Sequence, residues 1–302
     1  MKQARADVAP VTLAVSRRSW RPVADYVALT KPRLNLLVVA TSAAGYYLGS
    51  PAGPAALPMA QAVGGTALVA AGAAVLNQVF ERETDALMPR TRERPVPGGR
   101  VEPHDAITFG AVLATSGVAL LALAANFLAA ALAVATLGIY LGVYTPLKRR
   151  SPVSTLVGAI PGALPPLIGW TAGSGGISVG GAALFAIVFV WQIPHFMAIA
   201  WLYRDDYRKA GFPMLPVIDP GGSRAGRQAL LYAAALVPIS LLPSAVGVSG
   251  PLYFWAALVL SLGQFWLSAR FAAARSDASA RALFYGSITY LPLLWVAMIL
   301  DH

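Results

Sequence analysis

An all-α, polytopic membrane bundle of about nine transmembrane helices is the fold class that this sequence predicts. The 302 residues have a mean hydropathy of +0.62, with 57% hydrophobic and only 12% charged residues. Apolar stretches of the length that a bilayer requires recur along the whole chain. Despite a net charge of +10, a chain this apolar is not expected to have a nucleic-acid partner. The absence of cysteine excludes disulfides, zinc–thiolate sites and thiol catalysis.

Each predicted span is an apolar run bounded by polar or charged residues and long enough to cross the hydrocarbon layer. In order, the spans cover residues 34–50, 60–80, 104–124, 127–146, 153–172, 180–202, 228–247, 251–270 and 282–300. Residues 1–22 are basic and contain no apolar signal core, which predicts a flexible cytoplasmic tail before a membrane domain of residues 23–302.

The basic residues lie on one side of this predicted topology. All 23 Lys and Arg fall in the N-terminal segment and in every second loop, whereas the intervening loops contain none. The positive-inside rule then places the N-terminus and the charged loops in the cytoplasm and the C-terminus in the periplasm of a bacterial inner membrane. Polar groups gathered at one face favour an enzyme in contact with membrane lipid over a channel or transporter, which needs a polar path through the membrane.

A row of oxygen-bearing side chains closes the second span. Asn77, Glu81 and Asp85 are spaced by four and therefore share one helix face. A few such ligands suit Mg²⁺, which completes its octahedron with water and phosphate oxygens. A solvated helix end would also be polar, but three oxygen ligands on one face, followed by a cluster of arginines, favour a metal–phosphate site.

Cations surround this row in the sequence, and they suit a diphosphate through charge-assisted hydrogen bonds. The candidates follow the acidic row, end the fourth span or precede the first span: Arg90, Arg92, Arg94, Lys148, Arg149, Lys31 and Arg33. A topological anchor is the alternative reading of such residues, particularly for Arg149.

Polar residues also interrupt the sixth span. Gln192 and His195 lie within its apolar run, and a charged segment follows that includes Asp205 and Asp206. A histidine in an apolar helix needs a partner. The sequence leaves open whether that partner is a helix carbonyl, a carboxylate or a bound ligand.

Long motifs connect these features to a known family. The motifs read NQxxERxxDAxMxRTRxRPxPxG, YTPLKR and WQxPHFxxxxWxYRxDYxxAGxPMLPV, with TKPR before the first span and PGALPPLIGW in the fifth. Over residues 23 to 300 the chain resembles the UbiA-type intramembrane prenyltransferases, specifically their protohaem IX farnesyltransferase (haem O synthase) branch.

The resemblance implies a nine-helix bundle around a central apolar cavity, Mg²⁺ as cofactor, and farnesyl diphosphate and haem b as substrates. It implies catalytic and metal-binding roles for Asn77, Glu81, Asp85 and Asp206, and a metal-binding role for Asp205, which lies with Asp206 in the second acidic motif. That second motif departs from the pattern of the aromatic-acid branch, which leaves a second metal ion open. The haem acceptor side is expected at His195, Gln192 and Tyr203.

Further expectations concern partners and alternatives. Downstream haem A synthase or oxidase assembly proteins are the expected candidate protein partners. One alternative is a UbiA-type prenyltransferase with another aromatic or tetrapyrrole acceptor. The other is a non-enzymatic membrane carrier of haem or isoprenoid, which would not need an acidic row beside an arginine cluster.

Overall fold

Long helices form a single bundle in the computed structural model of this protein, which describes residues 22–302 and contains no strand in that range. The predicted tail of residues 1–22 lies outside the described residues, apart from Pro22, which begins the first helix. Eight helices of the described part are long and apolar enough to cross a membrane. A helix of 17 residues coincides with the first predicted span. The predicted all-α membrane fold is therefore confirmed.

The helices follow one another with short connections. They are α1 (Pro22–Leu29), α2 (Pro32–Leu48), α3 (Ala56–Phe80), α4 (Arg82–Ala86), α5 (Pro103–Ala124), α6 (Phe127–Leu137), α7 (Thr145–Leu147), α8 (Ser154–Ser174), α9 (Val179–Leu202), α10 (Arg204–Lys209), α11 (Leu215–Ile218), α12 (Ser223–Ala245), α13 (Pro251–Ala274) and α14 (Asp277–Leu300). Between α6 and α7 the chain continues as a π-helix (Gly138–Tyr144), so that these three elements make one span.

Several helices begin earlier than their apolar runs, α12 and α14 by the most. Helices α12 and α14 start at Ser223 and Asp277, whereas the hydropathy pattern places the spans from 228 and 282. At α14 the reason is a capping box, in which the Ser276 hydroxyl accepts from the Ser279 amide at 3.3 Å. Hydropathy reports where the hydrocarbon begins, whereas capping and backbone hydrogen bonds decide where a helix begins.

Glycines allow α3 and α5 to pack at close range. A Cβ atom on Gly117 would lie 2.6 Å from the carbonyl oxygen of Gly65, and one on Gly72 would lie 2.7 Å from that of Gly110. Lipid gives apolar helices little reason to associate, so close backbone packing at small residues is a main source of contact energy. This pair holds the C-terminal end of α3, which carries the acidic row, in a fixed position.

The remaining helices form the other wall of the bundle. Helix α9 packs against α8, α12 and α14, and the core between them contains the fully buried side chains of Leu184, Ile187, Leu236 and Leu294. Helix α8 also packs along α2. A cavity remains between the α2–α3 side and the α8–α9 side of the bundle.

Candidate functional site

The cavity has a volume of about 500 Å³ and a graded lining. Its walls are parts of α2, α3, the π-helix, α8 and α9, and the segment after α4 closes its polar end. Small and apolar residues line the α3 and α8 walls, including Ala70, Ala73, Ala74, Pro161 and Pro165. Charged side chains from distant parts of the sequence meet at the end of α3. The arrangement suits a long apolar molecule with a charged head.

The predicted acidic row lies at the polar end, and it is buried. The relative exposures of Asn77, Glu81 and Asp85 are 3%, 6% and 1%. The helix does not run straight through the row, because α3 ends at Phe80 and α4 begins at Arg82. The Asp85 amide still donates to the Glu81 carbonyl at 2.7 Å, which preserves the spacing of one helical turn. All three side chains therefore line the same cavity.

Each carboxylate of the row is matched by one cation. The Lys148 Nζ donates to both Glu81 oxygens at 3.1 and 3.2 Å, and Arg94 Nη1 donates to Asp85 Oδ2 at 2.6 Å. The Asn77 amide donates to Thr145 Oγ1 at 3.1 Å, which links the row to the end of the fourth span. Buried charges need such partners, because an isolated charge in a medium of low dielectric is strongly disfavoured.

Lys31 also lines the cavity, and no carboxylate of the described residues lies within ion-pair distance of it. Burial, together with the nearby Arg94 guanidinium, lowers the pKa of Lys31 to about 8. The backbone of Lys31 is left-handed (φ 50, ψ 58), which is uncommon for a residue other than glycine. The following Pro32 restricts it further, because a proline favours an extended conformation in the residue before it. A strained backbone that turns an unpaired amine toward a cavity is typical of a binding position.

Unlike Lys31, Lys148 is hydrogen-bonded to a carboxylate, that of Glu81. Burial opposes its charge, but Tyr144 and the Glu81 carboxylate outweigh that effect and raise the pKa of Lys148 above its ordinary value. It also lies over the Phe212 ring, 4.6 Å from the centroid. Lys148 is therefore a permanent positive charge at the polar end.

The segment between α4 and α5 separates its arginines into two groups. Buried Met88 and Thr91 anchor it, and the Thr91 hydroxyl donates to the Asp85 carbonyl at 2.7 Å. This turns Arg90 and Arg94 toward the cavity, whereas Arg92 is exposed and lies 3.9 Å from Glu93. Two of the three predicted arginines of this segment therefore reach the lining.

Gln192 and His195 line the deeper part of the cavity, about two turns before α9 ends. The Gln192 amide nitrogen donates to the carbonyls of Ala159 and Val188 at 3.1 and 3.0 Å, which fastens α9 to α8. The ring of His195 stacks on Trp191 and Phe284. The polar partner of His195 is the Ser287 hydroxyl, 2.8 Å from Nδ1, and not a helix carbonyl or a carboxylate.

Six predicted site residues lie outside this lining. Arg33 and Arg149 are exposed, as is Arg92. Asp205 pairs with Arg208 at 2.6 Å on the surface, and its neighbour Asp206 is half-buried. Tyr203 is 40% exposed, with the Arg90 guanidinium 4.8 Å from its ring centroid. The predicted roles of these residues stay predictions.

Several lining residues escaped the sequence prediction. Tyr140 and Tyr144, on the π-helix, stack at 5.4 Å between ring centroids, and Tyr207 also lines the cavity. The spacing of four from Tyr140 through Tyr144 to Lys148 was the available signal for the first two. No spacing in the sequence points to Tyr207, which only the packing of α10 brings to the lining.

Known proteins share both the sequence and the fold. The model of the UbiA prenyltransferase family matches residues 38–295. The protoheme IX farnesyltransferase of Solibacter usitatus is 44% identical over 287 residues, which span 92% of this chain and 98% of the relative. Protoheme IX farnesyltransferase 1 of Pseudomonas putida is 43% identical over 292 residues, with 96% and 97% covered.

Solved structures with low sequence identity have the same architecture. A digeranylgeranylglyceryl phosphate synthase superimposes with a TM-score of 0.78 at 19% identity, covering 92% of this chain and 98% of the other. A UbiA homolog from Archaeoglobus fulgidus bound to GPP and Mg²⁺ has a TM-score of 0.65 at 18% identity, covering 91% and 99%. These likenesses support the helical arrangement described above.

Proposed function

Because the chain belongs to the UbiA prenyltransferase family, we propose that it transfers a farnesyl group from farnesyl diphosphate to a vinyl group of haem b. Water is added in the same reaction, and the products are haem O and diphosphate. One observation carries the proposal: a single cavity joins a cluster of carboxylates and cations to a histidine and a glutamine set deeper in an apolar wall. The names of the relatives cited above support the choice of both substrates.

The diphosphate belongs at the polar end, where four cations reach the lining: Lys31, Arg90, Arg94 and Lys148. Lys31 and Arg90 have no carboxylate within ion-pair distance among the described residues, so they are free to bind an anion directly. Arg94 and Lys148 are engaged with Asp85 and Glu81 and add charge where the leaving group accumulates it.

Mg²⁺ fits the donor set of the acidic row. Asn77, Glu81 and Asp85 would hold it: the Asn77 amide nitrogen is already bonded to Thr145, so its carbonyl oxygen is left for a ligand. Two carboxylates and one amide are fewer ligands than Mg²⁺ takes, so water and substrate oxygens would complete its shell. When bound, Mg²⁺ supplies charge neutralisation to the leaving diphosphate.

The apolar wall suits the ionised farnesyl chain. The C1–O bond of the substrate breaks, and its electron pair leaves with the diphosphate toward the cations. The allylic cation forms a bond to the terminal carbon of a haem vinyl group, and water then captures the cation beside the pyrrole ring with loss of a proton. Water must be kept from the cation in the first step, and the small and apolar residues of the α3 and α8 walls favour this. The stacked rings of Tyr140 and Tyr144 present aromatic faces to a cation there.

We further propose that the polar end faces the cytoplasm, with the C-terminus in the periplasm. The basic residues of alternate loops support this orientation through the positive-inside rule. Tagging the C-terminus with a reporter that is active only in the periplasm tests it. Activity of that reporter at the N-terminus, and not at the C-terminus, would reverse the assignment.

Incubation of the purified protein with haem b, farnesyl diphosphate and Mg²⁺ tests the proposed reaction. The product should have the mass of haem O, and it should incorporate the label when the reaction runs in H₂¹⁸O. The variant Asp85→Asn should form none, whereas the exposed Asp105→Asn serves as the matched control. Binding of both substrates without any product would favour a carrier, and a product from another tetrapyrrole alone would change the acceptor.

A further inference from the structure

The ring of His195 stacks on two aromatic side chains. Trp191, one turn earlier on α9, stacks on it at 5.2 Å between centroids and an angle of 18°. Phe284 of α14 stacks on it at 5.2 Å and 21°. Two nearly parallel faces fix the plane of the imidazole. The position of the ring hydrogen, on Nδ1 or on Nε2, depends on the hydrogen-bond partners of the ring.

Ser287 decides this through a chain of hydrogen bonds. Its Oγ lies 2.8 Å from His195 Nδ1 and 2.6 Å from the carbonyl oxygen of Phe284, to which it donates. A hydroxyl has one hydrogen. The 2.6 Å contact favours the Phe284 carbonyl as the acceptor of that hydrogen, in which case the Ser287 oxygen accepts from His195 and the ring hydrogen lies on Nδ1.

The position of Ser287 leaves little freedom to reverse this chain. Its side chain is fully buried, and its carbonyl accepts from Trp191 Nε1 at 2.9 Å. The opposite tautomer would require the hydroxyl to turn away from Phe284. That would exchange a short hydrogen bond for a longer one.

The other ring nitrogen is therefore a free acceptor. In a neutral imidazole with hydrogen on Nδ1, Nε2 has an exposed lone pair. His195 lines the cavity, and no group in residues 22–302 donates a hydrogen bond to its Nε2. Histidines that ligate metals commonly donate their second ring N–H to an oxygen, which fixes their orientation and makes them better ligands.

We propose that Ser287 is a positioning residue that holds His195 in the Nδ1–H form, so that Nε2 presents its lone pair to the iron of the haem substrate. The identity of the ligand rests on the proposed function, whereas the tautomer does not. The two parts are therefore tested by separate measurements.

Nitrogen-15 NMR of histidine-labelled protein in lipid bilayers tests the tautomer without haem. The chain has three histidines, so the variant His104→Gln with His302→Gln retains only His195. At about pH 8, where an ordinary imidazole is neutral, its spectrum should show hydrogen on Nδ1. Hydrogen on Nε2 would overturn the proposal without further variants.

Adding Ser287→Ala to that background should move the hydrogen to Nε2 in part or in full, and Ser287→Thr should preserve the Nδ1–H form. Ser268→Ala is the matched control, because Ser268 is equally buried but donates only to the carbonyl of Gln264 at 2.9 Å. An unchanged tautomer in Ser287→Ala would contradict the role of Ser287.

Titration with haem b, followed by the Soret band, tests the ligand. Loss of an outer-shell hydrogen bond typically weakens metal binding by about 10–100-fold, and Ser287→Ala should show a loss of that size, with Ser268→Ala unchanged. An unchanged Soret band and affinity in both His195→Gln and Ser287→Ala would overturn the iron contact. Normal formation of haem O in the same variants would show that the proposed function stands without it.

Discussion

Removal of the Lys148 charge separates the structural and the binding roles of the Glu81–Lys148 pair. In Lys148→Met, the Glu81 carboxylate loses both of its hydrogen bonds, at 3.1 and 3.2 Å. The two side chains are only 7% and 12% exposed, so solvent screens the pair weakly. Breaking a buried pair by removal of one partner costs about 3–5 kcal/mol, and we expect a loss of stability of that size in metal-free protein.

The pair formed by Arg208 and Asp205 provides an exposed control. Its atoms are 2.6 Å apart, but its side chains are 51% and 68% exposed. An exposed pair contributes about 0–1 kcal/mol, so Arg208→Met should be almost neutral. Denaturant unfolding in detergent micelles, followed by tryptophan fluorescence, measures both variants against the parent protein.

The double variant Glu81→Gln with Lys148→Met completes the test. It removes both charges, so it should regain most of the stability lost in Lys148→Met, because no carboxylate is left buried and unpaired. Its affinity for farnesyl diphosphate should remain low. Loss of one charge-assisted hydrogen bond costs about 1.5–3 kcal/mol, which is roughly 10- to 150-fold in affinity.

Two results would refute this reasoning. One is an equal loss of stability in Lys148→Met and Arg208→Met, which would mean that burial does not govern the pair. The other is a double variant as unstable as the single one, which would assign the effect to lost packing of the lysine chain and not to the uncompensated carboxylate.

Three other predictions concern the same end of the cavity. Asp85→Asn should abolish turnover, because it neutralises a ligand of the metal–diphosphate end of the cavity. Haem binding, measured by the Soret band, should be kept. Turnover near the parent rate would exclude Asp85 from the site. The kcat/KM for farnesyl diphosphate should fall as the pH rises above about 8, because Lys31 then loses the charge that binds the anion. The variant Lys31→Arg should not show this fall, because an arginine stays charged. A pH profile identical in both proteins would assign the titration elsewhere. Chelation should stop turnover and Mg²⁺ should restore it better than Ca²⁺, since the carboxylates of the lining are Glu81 and Asp85 and Ca²⁺ takes more oxygen ligands. Activity that persists in metal-stripped protein would contradict a metal-dependent reaction.

The fold could be predicted from sequence because each span obeys a local rule. A stretch such as 180–202 is apolar over the thickness of a bilayer, and in lipid a helix is the structure that satisfies its backbone. Helix α9 accordingly spans Val179–Leu202. The spacing of four likewise placed Asn77, Glu81 and Asp85 on one face, even though the structure breaks the helix at Glu81. Local geometry alone was sufficient in these cases.

Contacts between distant segments could not be read in this way. The sequence suggested Arg92, Arg94 and Lys148 alike as phosphate ligands, but buried Met88 and Thr91 turn Arg94 inward and leave Arg92 exposed. The attachment of Glu81 to Lys148 joins residues 67 positions apart. Such pairings depend on how the helices pack, which the separate periodicities of two segments do not specify.

The sequence by itself determined that this is a membrane bundle with an acidic row, a set of cations and a histidine in its sixth span. Tertiary structure decided which of those charges meet, that each buried carboxylate has one cation, and that Ser287 of the last helix reaches His195. The physical reason is that hydropathy and helical periodicity act over a few turns of one segment. The partner of a buried polar group is chosen by the packing of several helices at once.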